Sequence, residues 1–271
     1  MIKIYNKDCF DFLIQDVEDQ TIDLVIVDPP YNLKKADWDT FESTECFLNF
    51  TYRWIDSVLP KIKKTGSIYI FNTPFHCAFI LNYLYSKGLK YRNWITWHKK
   101  DGLGGTKKKY VTEQESLLFF TMSDEYTFNA DDIRIPYDHP ERVKSGVVKN
   151  GKIWYPNPNG KLCTDVWYFT SERHKNKVNG KTPKLEHITP KPLEMIERII
   201  KASSNENDLV LDCFLGSGTT AVACKKLNRN FIGCEKDKKY YDLALKRLED
   251  NKAIIIDKKV DKKDNINLFD F

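Results

Sequence analysis

One stretch of the sequence decides the fold: Leu209-Val210-Leu211-Asp212-Cys213-Phe214-Leu215-Gly216-Ser217-Gly218-Thr219-Thr220. It begins with apolar residues that predict a buried strand, continues through a Gly-x-Gly turn, and ends with threonines that open a helix. Glycines let a ligand approach the backbone closely, and the free amides at the start of a helix favour a carboxylate or a phosphate. The stretch therefore predicts a ligand site at the end of a strand.

An acidic residue follows at the distance expected for a nucleoside site. Glu235 ends the next predicted strand, 19 residues beyond Gly216, where its carboxylate can accept two hydrogen bonds from ribose hydroxyls. A phosphate-binding P-loop is excluded, because no lysine follows Gly218. A dinucleotide site stays open, with Ala221 at its third glycine position, and so does a turn that is only structural. We expect a ligand that carries a ribose.

The elements around this turn alternate between strands and helices. Predicted strands are Ile2–Tyr5, Asp23–Val27, Gly66–Phe71, Asn93–Trp97, Ser116–Thr121, Leu209–Cys213 and Asn230–Glu235, and predicted helices are Cys46–Leu59, Pro74–Lys87, Pro192–Ala202, Thr220–Leu227 and Lys239–Glu249. Such alternation predicts an α/β fold with a doubly wound, mainly parallel sheet. From about residue 123 to 187 the periodicity fades into a region rich in Gly, Pro, Asn and Lys, which we interpret as an irregular insert.

The composition is that of a globular protein, with 41% hydrophobic and 30% charged residues in a chain of 271. No apolar run approaches the roughly 18 residues of a membrane helix, and Met1–Tyr5 lacks the plan of a signal peptide. The seven cysteines include no Cys-x-x-Cys pair, so we expect no disulfide framework and no metal site, with Cys213, Cys224 and Cys234 as buried thiols. These observations predict a cytoplasmic protein without a membrane span.

The net charge of +5 is concentrated in one part of the chain. Residues 98–184 hold 16 basic and 11 acidic side chains, whereas the remaining residues hold 27 of each. Within that segment, residues 142–184 carry ten basic and two acidic side chains, interleaved with tryptophan and tyrosine. Clustered lysine and arginine suit a polyanionic partner, because each phosphate contact releases counterions. The alternative is an ordinary solvated loop face, and charge alone leaves both open.

A second informative stretch, Asp28-Pro29-Pro30-Tyr31-Asn32, follows the predicted strand Asp23–Val27. Its prolines end the strand and leave carbonyl oxygens without a neighbouring donor, while Asp28 adds a carboxylate and Tyr31 a flat ring. A nucleobase amine is a poor nucleophile because its lone pair is delocalised into the ring. Hydrogen bonds from its two protons to the Asp28 carboxylate and the Pro29 carbonyl would localise that lone pair for attack on a methyl group. The stretch therefore predicts a site for a planar amine.

These stretches together resemble a DNA amino-methyltransferase of the β class. Asp28–Tyr31 matches the catalytic motif IV of that family, Asp212–Gly218 matches its S-adenosylmethionine motif I, and His187–Pro192 resembles its motif X. The order of catalytic motif, insert and cofactor motifs is the β arrangement. The resemblance spans roughly residues 2–125 and 185–250. It implies a Rossmann-like methyltransferase fold in a circularly permuted order, in which the chain begins midway across the sheet.

The resemblance also implies a division of the chain and roles for individual residues. Residues 1–122 would form the catalytic half, 123–186 the target-recognition insert, 187–251 the cofactor-binding half and 252–271 a charged tail. A flipped base would be bound and activated by Asp28, Pro29, Pro30 and Tyr31. The cofactor S-adenosylmethionine would be bound by Asp8, Lys191, Asp212, Phe214, Gly216, Ser217, Gly218, Thr219 and Glu235. The candidates for DNA contact in the basic segments are Lys107, Lys108, Lys109, Arg142, Lys144, Arg173 and Lys175.

Several of these residues have alternative interpretations. An N-cap of the helix that follows is the alternative for Asp8. His187 is better explained as a structural turn residue, because motif X departs from the family pattern around it. Trp38 and Phe41 are candidates to line the base pocket, whereas core packing is the favoured interpretation of Trp97, which lies in an apolar strand.

The resemblance implies an S-adenosylmethionine-dependent DNA methyltransferase that acts on adenine N6 in a short duplex site by base flipping. Aspartate rather than serine at the head of the tetrapeptide favours adenine N6 in this family. The alternatives are methylation of cytosine N4, methylation of RNA or a protein amide, and a non-catalytic DNA-binding module that holds the cofactor. The expected partner is double-stranded DNA, and a homodimer and a cognate restriction endonuclease are further partners to test.

Overall fold

The computed structural model describes residues 1–99, 107–108, 110–170 and 190–249. Several predictions from the sequence lie outside these described residues. They concern Lys109, Arg173, Lys175, His187 and the tail 252–271.

The described chain alternates between strands and helices over most of its length. The strands are β1 (Ile2–Asn6), β2 (Ile22–Val27), β3 (Ile62–Asn72), β4 (Lys90–His98), β5 (Gln114–Thr121), β6 (Val147–Lys149), β7 (Lys152–Trp154), β8 (Val166–Tyr168), β9 (Leu209–Asp212) and β10 (Asn230–Glu235). The helices are α1 (Cys9–Gln15), α2 (Thr44–Val58), α3 (Pro74–Ser86), α4 (Arg142–Ser145), α5 (Leu193–Ser203), α6 (Thr219–Lys226) and α7 (Lys238–Glu249). Short 3-10 turns lie at Asp37–Asp39, Leu59–Lys61 and Ala130–Ile133.

Eight strands form one sheet in the order β1-β10-β9-β2-β3-β5-β4-β8. β5 runs antiparallel to both of its neighbours, and the other neighbouring strands are parallel. The predicted α/β fold with a mainly parallel sheet is therefore confirmed. β2 and β9 lie side by side, and the chain leaves them in opposite directions, to β3 and to β10. The crevice outside such a pair of strands is where open α/β sheets bind ligands.

The first strand does not lie where the resemblance implied. Among the described residues β1 is the edge strand of the sheet and pairs with β10 alone, with Ile4 opposite Gly233. The expectation that the chain begins midway across the sheet is wrong for β1 and holds only from β2 onward. The edge position follows from the backbone pairing, in which the Phe231 amide also donates to the Met1 carbonyl at 2.9 Å.

The region from residue 123 to 170 contains short elements that the sequence did not predict. β8 extends the main sheet by pairing with β4, and its central Trp167 is 5% exposed. β6 and β7 form a separate two-stranded hairpin. Strands of three residues carry too little periodicity to be recognised, so they were interpreted as irregular chain.

The sheet has hydrophobic core on both faces. Along β2, Leu24 and Ile26 belong to one core cluster while Val25 and Val27 belong to the other, because successive side chains of a strand point to opposite faces. Trp97 is 3% exposed and its indole N–H donates to the Phe169 carbonyl at 2.9 Å. Its predicted place in the core is thereby confirmed.

The cysteines behave as separate thiols. All seven lie in the described chain and none is paired in a disulfide, as the sequence predicted; Cys213, Cys224 and Cys234 are buried. Within the described ranges, no helix has both the length and the apolar character that crossing a membrane requires.

Gly233 in β10 has no room for a side chain, which allows a test of the packing around β9. A methyl group there would lie 2.5 Å from the Asp212 carbonyl oxygen and 2.6 Å from the Phe231 ring. We expect Gly233→Ala to lower the free energy of unfolding by about 1–3 kcal/mol, with a melting temperature lower by roughly 2–4 °C per kcal/mol. Thermal denaturation followed by circular dichroism measures this. Asn82→Ala, at an exposed position of α3, is the control, and equal melting temperatures for both variants would contradict the packing described.

Candidate active site

One cleft joins the two informative stretches of the sequence. It has a volume of about 830 Å³ and opens where β2 and β9 end. Residues 28–31 line one side, and residues 212–217 line the other together with Thr219 and Glu235. Lys191, Trp38 and Phe41 also line it. Chain segments far apart in sequence are thus brought to one site by the neighbouring positions of β2 and β9.

The Gly-x-Gly turn depends on a backbone that only glycine adopts readily. Gly218 has φ of +82°, and a methyl group on it would lie 2.8 Å from the Ala244 side chain. Gly218 does not itself line the cleft, and its part is to let α6 begin directly after the turn. Gly216 lines the cleft and donates its N–H to a Glu235 carboxylate oxygen at 2.8 Å.

The Glu235 carboxylate is held in place by backbone amides on both of its oxygens. The second oxygen accepts the Asp237 N–H at 2.8 Å. Burial raises the pKa of Glu235 even though these amide hydrogen bonds lower it. Each oxygen keeps a further lone pair. The group can therefore accept two more hydrogen bonds, which is what ribose hydroxyls require.

Asp212 holds the glycine turn closed, a function that sequence analysis did not assign to it. One carboxylate oxygen accepts the Phe214 N–H at 3.0 Å and the other accepts the Thr220 hydroxyl at 2.7 Å. Burial raises the pKa of Asp212 to about 7, although both hydrogen bonds act in the opposite direction. Asp212 is 4% exposed, and it still borders the cleft. It is therefore placed both to support the turn and to contact a ligand.

Asp8 has the N-cap role that the sequence offered as one alternative, and it also borders the cleft. It is the N-cap of α1 and accepts the Phe10 N–H at 3.0 Å. Its other oxygen lies 3.1 Å from the Lys236 ammonium, and the residue lines the cleft beside Glu235. The N-cap interpretation is confirmed, while ligand contact is sterically open to the same side chain.

A buried acid that the sequence did not reveal anchors the loop after β2. Asp39 is 2% exposed and accepts the Tyr31 N–H at 2.6 Å and the Leu33 N–H at 3.0 Å. Asn32 has φ of +56°, which turns the chain back toward Asp39. No local signal marks Asp39, because its partners become apparent only when the loop closes. The anchor fixes the backbone of the prolyl stretch at the edge of the cleft.

The catalytic acid predicted from the sequence lies in a ring of polar groups. The Tyr31 hydroxyl is 2.7 Å from one Asp28 oxygen and 2.8 Å from Glu115. The Lys191 ammonium is 2.6 Å from the other Asp28 oxygen and 2.8 Å from the same Glu115 oxygen. Lys99 pairs with the second oxygen of Glu115. Lys191 was expected beside the cofactor's methionine portion, and the structure places its ammonium against the Asp28 carboxylate.

Glu115 is the cleft residue that sequence reasoning missed. It is 7% exposed and is the second residue of the apolar strand β5, so the one signal available was an acid near the start of a buried strand. Burial would raise the pKa of Glu115, but Lys191 and Lys99 lower that pKa to about 2. Burial lowers the pKa of Lys191, and the two carboxylates outweigh it and raise that pKa. Burial and the same carboxylates raise the pKa of Tyr31, which keeps the phenol neutral.

The predicted DNA-contacting residues lie on exposed chain where they are described. Lys107, Lys108 and Lys144 are exposed, and Arg142 begins α4. The hairpin β6–β7 follows α4 in the sequence, and all six of its strand residues are exposed. Its turn is formed by Asn150 and Gly151, both with positive φ, as a tight two-residue hairpin turn requires.

The hairpin carries basic and apolar side chains together. Lys149 and Lys152 face each other across the turn, and Val148, Ile153 and Trp154 are 73%, 61% and 59% exposed. From residue 142 to residue 164 the chain contains five basic and no acidic side chains. Such a surface complements a polyanion that also offers apolar contact.

Comparisons with known proteins agree on one family. A family model for DNA methylases of the N6 and N4 type matches residues 22–246. The chain is 60% identical over 256 residues to the Type II methyltransferase M1.MboII of Moraxella bovis, covering 92% of this chain and 98% of that protein. It is 35% identical over 240 residues to the Type II methyltransferase M.HpaI of Haemophilus parainfluenzae, covering 87% and 71%.

Solved structures of the same kind resemble this one. The M1.HpyAVI–SAM complex matches with a TM-score of 0.60 and 29% identity, covering 92% of this chain and all of that chain. The cytosine-N4-specific PvuII DNA methyltransferase shares the fold, with a TM-score of 0.69 at 16% identity over 93% of this chain and 87% of that chain.

The raised pKa of Asp212 predicts a pH-dependent contribution to stability. The folded protein binds this proton more tightly than the unfolded chain, so the contribution is complete below about pH 4 and is lost as pH rises to about 7. We therefore expect wild type to lose stability relative to Asp212→Asn as pH rises from 5 to 7.5. Urea denaturation across this range measures the difference between the two proteins. The exposed Asp11→Asn is the control, and a constant difference for Asp212→Asn would contradict the prediction.

Proposed function

Because the chain belongs to the DNA methylase family, and is an S-adenosylmethionine-dependent, site-specific DNA methyltransferase, we propose that it methylates the N6 atom of adenine in duplex DNA. The single observation that carries this proposal is the shared cleft. It sets the Asp28 carboxylate and the prolyl backbone opposite the glycine turn at the ends of neighbouring strands. One face suits a base amine, and the other suits a nucleoside cofactor.

The cleft residues fit S-adenosylmethionine. Bound there, the cofactor supplies a methyl group activated by its sulfonium charge. Glu235 keeps lone pairs for ribose hydroxyls, and the Gly216 turn lets the ligand approach the backbone. Phe214, Ser217 and Thr219 line the same side of the cleft. Asp8 and Asp212 add acceptors at its margin and suit a ligand that carries cationic groups.

The residues on the opposite side account for activation of the amine. The Asp28 carboxylate and the Pro29 carbonyl would accept the two protons of the amine and draw its lone pair out of conjugation with the ring. The flat ring of Tyr31 would stack on the flipped base, with Pro30 fixing the backbone between them. The nitrogen would gain the methyl group and give up one proton, which Asp28 would accept and pass to solvent. Loss of the methyl group would convert S-adenosylmethionine to S-adenosylhomocysteine.

Adenine N6 is favoured over cytosine N4 by the aspartate at the head of the tetrapeptide. Both amines need the same activation, and the matching family model covers both. Incubating unmethylated DNA with the protein, digesting it to nucleosides and identifying the methylated base by mass spectrometry distinguishes them. N6-methyladenine is the expected product, and N4-methylcytosine would contradict the proposal while leaving the reaction class intact.

The irregular middle of the chain is proposed as the DNA-binding part. Charge supports the division into a catalytic half at 1–122, a target-recognition insert at 123–186 and a cofactor-binding half at 187–251, because the basic excess lies in residues 98–184. The proposed phosphate and groove contacts are Lys107, Lys108, Lys109, Arg142, Lys144, Arg173 and Lys175. The exposed hairpin β6–β7 joins them as a further contact.

Partners and location are part of the same proposal. Relatives named Type II methyltransferases support a role in restriction and modification, with a cognate endonuclease as partner. A chromosomal DNA substrate supports a cytoplasmic location. An exposed aromatic pair on α3, where the rings of Phe75 and Phe79 lie 5.2 Å apart and the residues are 61% and 38% exposed, supports a homodimer, which sedimentation analysis tests.

Removing the Asp28 carboxylate tests the catalytic assignment. We expect Asp28→Ala to lower methyl transfer at least 1,000-fold, because the amine loses an acceptor that acts in the transition state. Cofactor affinity should stay within threefold, since the glycine turn is untouched. Incorporation of tritiated methyl into DNA and equilibrium dialysis measure the two quantities. Asp11→Asn on the surface of α1 should match wild type, and an Asp28→Ala enzyme with more than a tenth of wild-type turnover would refute the assignment.

The hairpin lysines provide a test of the DNA-binding surface. We expect Lys149→Ala with Lys152→Ala to weaken DNA binding and to reduce the slope of log K against log salt by about 2, one for each phosphate contact. Fluorescence anisotropy with labelled duplex DNA at several salt concentrations measures both. Lys64→Ala with Lys90→Ala, two exposed lysines near the starts of β3 and β4, is the charge-matched control. Identical slopes for the two double variants would rule the hairpin out.

A further inference from the structure

Both oxygens of the catalytic acid are already occupied by donors of the protein itself. Tyr31 and Lys191 each contact one Asp28 oxygen, at 2.7 Å and 2.6 Å. A base amine that is to donate to Asp28 must therefore either share an oxygen with one of these donors or displace it, and an oxygen that is shared is a weaker acceptor for the amine. Lys191 is buried and Tyr31 is partly buried, and a donor left there without an acceptor opposes the displacement.

The same two donors share a second acceptor. One Glu115 oxygen, Oε1, lies 2.8 Å from the Tyr31 hydroxyl and 2.8 Å from the Lys191 ammonium. The other Glu115 oxygen is taken by Lys99, whose ammonium also lies 4.4 Å from the centroid of the Trp97 ring. Lys99 thus holds one Glu115 oxygen in place. The other Glu115 oxygen contacts Tyr31 and Lys191, the two groups that also contact Asp28.

We propose that Glu115 is a positioning residue that takes over Tyr31 and Lys191 when the target amine binds to Asp28. The Tyr31 hydroxyl can donate one hydrogen bond at a time. It donates to Asp28 in the empty cleft and to Glu115 once the amine has bound. Lys191 keeps its bond to Glu115 while its bond to Asp28 weakens. The exchange leaves every buried donor paired, and it frees Asp28 to act on the substrate.

The charges of the cluster support this exchange. Asp28 and Glu115 are balanced by Lys99 and Lys191, so removing the charge of Glu115 would leave Asp28 to pair with Lys191 alone. That pairing would weaken Asp28 as an acceptor for the amine. The Glu115 carboxylate bonds to Tyr31 and Lys191, so its proposed effect on the amine passes through these two residues and Asp28. The inference rests on the proposed function, since it assigns Asp28 to the amine.

Glu115→Gln tests the inference, because it keeps the shape and removes the charge. We expect kcat/KM for DNA to fall at least 30-fold, with cofactor affinity within threefold of wild type by equilibrium dialysis. Glu115→Asp, which retains a carboxylate, should recover at least threefold over Glu115→Gln. Glu113→Gln, two residues earlier and 49% exposed in its side chain, is the matched control and should equal wild type. A Glu115→Gln enzyme within threefold of wild type would overturn the inference.

A double-mutant cycle with Tyr31→Phe separates exchange from general structural support. Without the Tyr31 hydroxyl, Glu115 has one donor fewer to accept. The fold-loss of kcat/KM for DNA that Glu115→Gln causes should therefore be at least fivefold smaller in the Tyr31→Phe background. Equal losses in both backgrounds would overturn the inference. If Glu115→Gln loses its circular dichroism signal, the same cycle is measured with Glu115→Asp, and equal losses of kcat/KM in both backgrounds would again overturn the inference.

The outcomes also separate this inference from the proposed function. Methylation of cytosine by wild type would refute the adenine assignment, while the Glu115 comparisons would still decide the exchange for that amine. Methylation of adenine with an unaffected Glu115→Gln enzyme would refute the exchange alone. Absence of any methyl transfer by wild type would overturn both.

Discussion

The pairing of β2 with β9 is the constraint on which the rest of the site depends. Leu24 lies opposite Val210 and Val25 opposite Leu211, in parallel register at the middle of the sheet. Parallel strands end at the same edge, so the prolyl loop after β2 and the glycine turn after β9 must open into the same space. The four paired residues are fully buried, which ties the geometry of the cleft to the stability of the core.

Electrostatics then determine what the cleft can accept. The Asp28 side holds two acids and two lysines, of which Glu115 and Lys191 are buried and Asp28 and Lys99 are partly buried, and its charges balance without a ligand. A buried unpaired charge costs several kcal/mol, so such a cluster tolerates exchange of partners far better than loss of one. The Glu235 side holds acids whose pKa values burial raises. Methyl transfer between a cationic donor and a neutral amine suits a cleft divided in this way.

The sequence predicted those parts of the site that reside in contiguous stretches. The glycine turn and the Asp28–Tyr31 stretch were recognisable because their chemistry is local. Asp39 and Glu115 were not, because each acquires its role from a partner that only loop closure or strand pairing supplies. Lys191 was placed in the cleft correctly, but the direction of its ammonium toward Asp28 depends on the start of α5, which no pattern in the sequence specifies. The edge position of β1 and the three-residue strand β8 were missed for the same reason.

The most direct test of the shared cleft is a crystal structure of the protein with S-adenosylmethionine bound. The account predicts ribose hydroxyls within hydrogen-bond distance of Glu235 and a methyl group that points across the cleft toward the Asp28 carboxylate. A cofactor bound away from the glycine turn, or one whose methyl group faces away from Asp28, would contradict it.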